Sequence, residues 1–187
     1  MLGWAWIAVL AAALPIRQAN VDDVARALRT TEGRPRIVHL WASWCVPCVV
    51  ELPHLVATLR DAEKRGVDVV LLSLDNAEGE KTAAQMLRKA GGPVDSSGGM
   101  NPPASSSEAR RGPTPLWLCL RAESPRAIAA VRDLDGEWDG SIPTTYLLGK
   151  DGKLALAQRG GTDLAQLAAE LDRIAPGRKR TNRRTGK

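Results

Sequence analysis

At 187 residues the chain has room for one well-packed domain but too little for two of ordinary size, and its three cysteines (Cys45, Cys48 and Cys119) are too few for a disulfide-built scaffold. The formal charge of +5 is not a nucleic-acid signal, because six of the 26 basic residues fall in the last ten positions, "RKRTNRRTGK", while the other 20 are matched by 21 acidic ones. That tail, residues 177–187, is too polar to join a core and is expected to be disordered, so no nucleic-acid partner is expected.

The chain begins "MLGWAWIAVLAAALPIRQAN", with an uncharged apolar run from Leu2 to Ile16. Those 15 residues span roughly 22 Å as a helix, short of the ~30 Å hydrocarbon core of a bilayer. Residues 1–19 are therefore read as a signal-like leader, with membrane attachment through residues 2–16 and a buried N-terminal helix left open. Small residues at Ala11 and Ala13, and again at Ala19, are the candidate cleavage positions.

The domain proper is expected over 20–176. In "VDDVARALRTTEG", Val21, Val24 and Leu28 share a helical face and two acids occupy the first turn. "RIVHLW" is a short apolar run with β-branched members and reads as a buried strand. A helix follows from near Cys45, carried by Leu52, Leu55, Leu59 and Ala62 and closed at Gly66. "VDVVLLSLD" is a second buried strand and "GEKTAAQMLRKAGG" a second helix. From Gly91 to Pro115 the sequence turns to Gly, Pro and Ser, with little apolar surface to offset the entropy of ordering, and reads as a flexible surface insertion. Order resumes at "LWLCL" and a short helix at "SPRAIAAVRDL". Two strands then flank Lys150, Asp151 and Gly152 as a hairpin, and a last helix places Leu164, Leu167, Leu171 and Ile174 in one stripe. Strands alternating with helices predict an α/β fold, a mixed sheet covered on both faces with the hairpin at its edge.

The chemistry lies in "WASWCVPC". A zinc site needs about four ligands, and no second C-x-x-C accompanies this one, so no metal or cofactor is expected. A permanent bridge across Val46 and Pro47 closes too small a loop to constrain an unfolded chain much. Redox exchange fits better. A thiol at a helix start meets unpaired backbone N–H groups and the positive end of the helix dipole, both of which favour the attacking thiolate. Cys45 is thus the expected nucleophile and Cys48, a turn inward, the resolving thiol. Pro47 is tolerated in the first turn and stiffens the loop between the sulfurs.

"LWASWCVPCVVELP" resembles the "FWAxWCxPC" pattern of thioredoxin-fold thiol:disulfide oxidoreductases, and its Glu51 and Pro53 match the TlpA-like, cytochrome c maturation branch. The resemblance runs from about Val21 to Ile174. It implies a thioredoxin-like three-layer α/β/α sandwich and a proline that faces the cysteines in cis. The 98 positions from Cys45 to that proline exceed a minimal thioredoxin fold and fit an inserted helix-strand unit plus the flexible segment after Gly91. "GSIPTTYLL" supplies Pro143, and the backbone of Ile142 before it would pair with an extended client chain. Trp44, Val46 and Pro47 would flank the exposed sulfur as the docking surface, with Trp41 in the core. Cys119 is read as a buried inert thiol, and His54 as a helix-surface residue.

Two residues mark departures or tuning. His39 stands six residues before Cys45, where such proteins often carry Asp or Asn. Because imidazole ordinarily titrates near neutral pH, His39 is a candidate proton relay for Cys48, against a core histidine with no kinetic role. Glu51 is a candidate for tuning the thiols, against an exposed helix carboxylate. The resemblance further implies cysteine-containing client proteins, a membrane thiol-disulfide electron donor, and an envelope reductant working in the periplasm or another extracytoplasmic space. The alternative is a redox-sensing or client-binding module with little turnover.

Overall fold

The computed structural model describes residues 17–19, 21–29, 31, 33–76, 78–92, 118–120 and 125–177. The apolar run before Arg17, most of the insertion read at 91–115, and the basic residues from Arg178 onward lie outside them. The elements, in chain order, are β1 (Arg17–Ala19), α1 (Val21–Arg29), β2 (Arg36–Trp41), α2 (Val46–Lys64), β3 (Asp68–Ser73) and α3 (Glu80–Lys89). They continue with β4 (Leu118–Leu120), α4 (Pro125–Leu134), β5 (Thr144–Leu148), β6 (Leu154–Arg159) and α5 (Leu164–Ile174).

Four strands form a mixed sheet in the order β3-β2-β5-β6. β2 runs parallel to β3, with His39 opposite Leu71, and antiparallel to β5, with His39 opposite Thr145. β5 and β6 pair antiparallel across the turn at Lys150, Asp151 and Gly152, where Gly152 takes φ +78°, a conformation costly for a side chain with a Cβ. The expected edge hairpin is therefore present. All six residues of β2 and all six of β3 are buried, as expected of mainly apolar strands covered on both faces, and the polar Arg36, His39, Asp68 and Ser73 are buried with them.

The two faces separate by sequence parity along β2. Ile37 and Trp41 pack on one side with Leu52, Leu55 and Leu59 of α2, Leu87 of α3, and Leu167 and Leu171 of α5. Val38 and Leu40 pack on the other with Val24 and Leu28 of α1, Val131 of α4, and Trp138. Helices on both faces of one sheet make the three-layer α/β/α sandwich that the resemblance implied. Between β3 and β5 the chain adds α3, β4 and α4, which accounts for the long path from the cysteines to Pro143.

One strand was not anticipated. β1 falls within the segment read as leader and pairs in parallel with β4, Arg17 opposite Leu118 and Ala19 opposite Leu120. "RQA" has no apolar alternation to announce it, and the strand is defined by its neighbour.

α2 carries the cysteine pair and shows why the sequence folds as it does there. Cys45 is its N-cap, with extended backbone (φ −86°, ψ 101°), and Pro47 sits in the first turn, where its missing N–H costs nothing. At the other end Gly66 takes φ +81° while its N–H bonds back to Glu63, closing the last turn. The helix continues through Pro53, whose ring is exposed.

Candidate active site

Cys45 and Cys48 are joined in a disulfide, their Cα atoms 5.3 Å apart. Cys48 is fully buried and Cys45 is 6% exposed, so Cys45 is the sulfur nearer to solvent. The backbone N–H of Cys48 donates to Cys45 Sγ at 3.3 Å, the bond a capping side chain makes to the third helical residue. In the reduced state the same N–H and the helix dipole would favour negative charge on that sulfur.

The turn before Cys45 is held by Asp75, a buried carboxylate just past β3. It accepts from the Ser43 backbone N–H (2.9 Å), the Ser43 hydroxyl (2.6 Å) and the Ser73 hydroxyl (2.6 Å). Charge-assisted bonds of this kind fix the loop that presents Cys45 to the start of α2. Nothing in the cysteine motif announced Asp75, although "SLD" at the end of a buried strand places an acid where the strand meets the loops.

Opposite the cysteines the Ile142–Pro143 peptide bond is cis, as the "SIPTTY" pattern implied. The Ile142 carbonyl oxygen lies 3.7 Å from Cys45 Sγ. That segment is braced from behind, because Ser141 O accepts from Trp138 Nε1 (2.9 Å) and from Thr144 Oγ1 (2.8 Å). The outer rim is apolar: Trp44 is 64% exposed, Val46 72% and Val50 71%, and Pro47 is exposed among them. Val50 belongs to this patch one turn beyond Val46, a neighbour at i+4 that the motif comparison did not name.

On the face of the sheet that α2 covers runs a polar chain, buried at His39 and Thr145 and partly buried at Thr162 and Glu51. His39, fully buried on β2, bonds through Nδ1 to Thr145 Oγ1 at 2.9 Å, and Thr145 Oγ1 lies 2.7 Å from Thr162 Oγ1. The Thr162 hydroxyl and backbone N–H then donate to the two oxygens of Glu51, at 2.9 and 3.0 Å. Glu51 is thus a partly buried, fully engaged carboxylate rather than an exposed one. His39 Nε2 makes no hydrogen bond and sits 3.7 Å from Glu51 Oε1. Burial pushes the imidazole down to about 3, so it is neutral at physiological pH and the contact with Glu51 is not an ion pair. The near-neutral titration expected of His39 is therefore corrected by its desolvation.

The remaining sequence candidates sort simply. Trp41 is fully buried in the core beside the cysteines, and His54 is exposed on α2. The backbone of Cys119 lies in β4, and its side chain is outside the described residues. Among the described residues no cluster of three or more metal-ligating side chains occurs.

A family model described as the AhpC/TSA family matches residues 10–157. The chain belongs to the AhpC/TSA family. Among its curated relatives, this AhpC/TSA-family chain is 34% identical over 59 residues to the thiol-disulfide oxidoreductase ResA of Oceanobacillus iheyensis, covering 32% of this chain and 31% of that protein. It is 23% identical over 150 residues to the protein of the same name from Bacillus cereus, covering 80% of this chain and 68% of that one. These relatives bear out the thioredoxin-fold, TlpA-like resemblance of the cysteine motif. A solved structure from Chlorobium tepidum, a thiol:disulfide interchange protein of the thioredoxin family, superposes with a TM-score of 0.53 at 19% identity over 88% of this chain and 99% of that one, which shows the fold.

Proposed function

We propose that the protein is a thiol:disulfide oxidoreductase that exchanges its Cys45/Cys48 dithiol–disulfide pair with cysteine-containing client proteins. The observation that carries this reading is the juxtaposition of a helix-capping Cys45 with the Ile142 carbonyl at the cis Ile142–Pro143 bond. A client chain laid in extended form along Ile142 would bring its own sulfur in line with Cys45. Trp44, Val46 and Pro47 supply an apolar rim for the flanking residues.

In the reducing direction the Cys45 thiolate attacks one sulfur of a client disulfide. One client sulfur leaves as thiolate and takes a proton from solvent, and a Cys45–client disulfide forms. Cys48 then loses its proton and attacks Cys45 Sγ. The Cys45–client bond breaks, the second client thiol is released, and the Cys45–Cys48 disulfide remains. Two electrons pass from the protein to the client. The relatives' name supports disulfide exchange, and the apolar run at residues 2–16 supports an extracytoplasmic location, where the protein would act as a reductant recharged by a membrane thiol-disulfide donor. Of the candidate cleavage positions, those at Ala11 and Ala13 keep β1, whereas cleavage after Ala19 would remove it.

The test is a trap. With Cys48→Ser, a disulfide-containing peptide should accumulate as a stable adduct on Cys45, identified by mass spectrometry and released by dithiothreitol, and Cys45→Ser should form none. Client binding that survives Cys45→Ser, with no turnover by the wild type, would replace this reading by a binding module.

A further inference from the structure

The polar chain on the α2 face of the sheet has a direction that can be read from its ends. Glu51, as a carboxylate, only accepts, and its Oε2 is fixed by the Thr162 backbone N–H at 3.0 Å. The Thr162 hydroxyl has one proton and gives it to Glu51 Oε1 at 2.9 Å. Thr145 must therefore be the donor in the 2.7 Å contact between the two hydroxyls, and its oxygen is left to accept from His39 Nδ1 at 2.9 Å. A neutral ring protonated at Nδ1 carries a bare lone pair at Nε2. That nitrogen is buried without a hydrogen bond and faces Glu51 Oε1 at 3.7 Å. Two acceptors confronting each other in a buried site leave room for one proton and lack it, and an unpaired buried acceptor is uncommon enough to need a reason.

We propose that Thr145 and Thr162 are positioning residues that lock His39 as its Nδ1–H tautomer, so that Nε2 and Glu51 Oε1 together hold the proton that leaves Cys48 during resolution. The inference rests on the exchange reading above. Glu51 lies on α2 one turn after Cys48, and His39 is on the face of the sheet that α2 covers, with Ile37 and Trp41. When Cys48 gives up its proton, the proton settles on Glu51 Oε1, and Oε1 and Nε2 would draw together from 3.7 Å to hydrogen-bond distance around it while the imidazole stays neutral, consistent with its depressed basicity. The sulfur then attacks as thiolate, the Cys45–client bond breaks, and the pair returns its proton to the Cys48 thiolate when the Cys45–Cys48 disulfide is next reduced. The groups around the ring are Glu51 from α2, Thr145 from β5, Leu71 from β3 and Thr162 from the turn after β6. Of these Glu51 is the titratable one, with Cys48 the other titratable group on the same helix.

The test combines a tautomer measurement with a rate. Nitrogen NMR of the full-length protein, with the His39 signal assigned from His39→Gln, should show Nδ1 protonated and Nε2 bare at pH 7. Thr145→Val and Thr162→Val should move the ring toward the Nε2–H form or a mixture, and Thr162→Ser should restore the wild-type tautomer. In single-turnover resolution of a preformed Cys45–peptide adduct, both valine variants should be slowed about ten-fold near neutral pH with an altered pH profile, and the serine variant should not. A wild-type ring protonated at Nε2 would overturn the assignment, as would a tautomer indifferent to Thr145→Val in a variant that keeps its native spectrum. Normal tautomer shifts with unchanged resolution rates would overturn the proton-holding role. Failure of exchange in the wild type would instead sink the functional reading, and the tautomer measurement would still decide the polarity of the chain.

Discussion

Two buried polar clusters sit on the same central strand and are built on opposite principles. At the start of β2, Asp68 accepts from Arg36 at 3.0 Å and from Arg34 at 2.9 Å, with the Arg36 and Asp68 side chains 6% and 3% exposed. Arg36 also donates to the Ala27 carbonyl, tying α1 to the sheet. There both carboxylate oxygens of a buried acid are compensated. Three residues along, His39 is more deeply buried but leaves Nε2 open toward a carboxylate that its other partners have already engaged. The first cluster resembles a structural clamp, since removing one partner of a buried ion pair is what costs stability. The second keeps an unsatisfied acceptor facing Glu51, one helical turn from Cys48, where under the proposal above a group able to take a proton has a use.

The largest expected effect breaks the chemistry and leaves both clusters intact. Cys45→Ser should abolish turnover of a disulfide substrate, with urea unfolding of the reduced protein shifted by less than about 1 kcal/mol from the reduced wild type, because a serine can also cap α2. Asp68→Asn should do the reverse. It removes the buried carboxylate charge that Arg36 and Arg34 share and should cost about 3–5 kcal/mol of unfolding free energy, while the folded protein exchanges disulfides at the wild-type rate.

Acid stability reports on the second cluster. The folded-state pKa of His39 lies near 3, well below the ordinary value of 6.5, so the unfolded chain binds the extra proton throughout the interval between them. The contribution of neutral His39 is therefore complete above about pH 6.5 and is lost as pH falls toward 3, with a slope of at most about 1.4 kcal/mol per pH unit. His39→Asn should lack that component, seen as a shallower fall of stability between pH 6 and 4 in urea titrations. The smallest effect concerns the rim. Trp44→Ala should raise KM for a client peptide a few-fold with little change in kcat or stability, because the ring is 64% exposed and contributes contact rather than chemistry.

The contrast also explains what the sequence disclosed. β2, β3 and the start of α2 were legible because a short, mainly apolar run with β-branched members and a helix-capping thiol are local signals. Pro143 was legible through its flanking pattern, and its bond is cis. The polar chain was not, since Glu51 meets Thr162 across 111 residues and His39 meets Thr145 across 106. In a sequence, Thr145 reads only as a β-branched strand former, and Thr162 only as a turn residue before the last helix. Their hydroxyls acquire a role when the sheet brings β2 beside β5 and the hairpin returns the chain to α2. His39 itself was visible as a departure from the family pattern, but its neutrality depends on burial that no local pattern encodes.

The central claim is that Cys45 and Cys48 form one reversible redox couple, and equilibration of the protein against graded glutathione and dithiothreitol buffers tests it most directly. The account predicts a single two-electron transition between a dithiol and a Cys45–Cys48 disulfide, with a potential closer to the thioredoxin value of about −270 mV than to the strong-oxidant value of about −120 mV. If no Cys45–Cys48 disulfide forms at any poise while the protein remains folded, the account is contradicted.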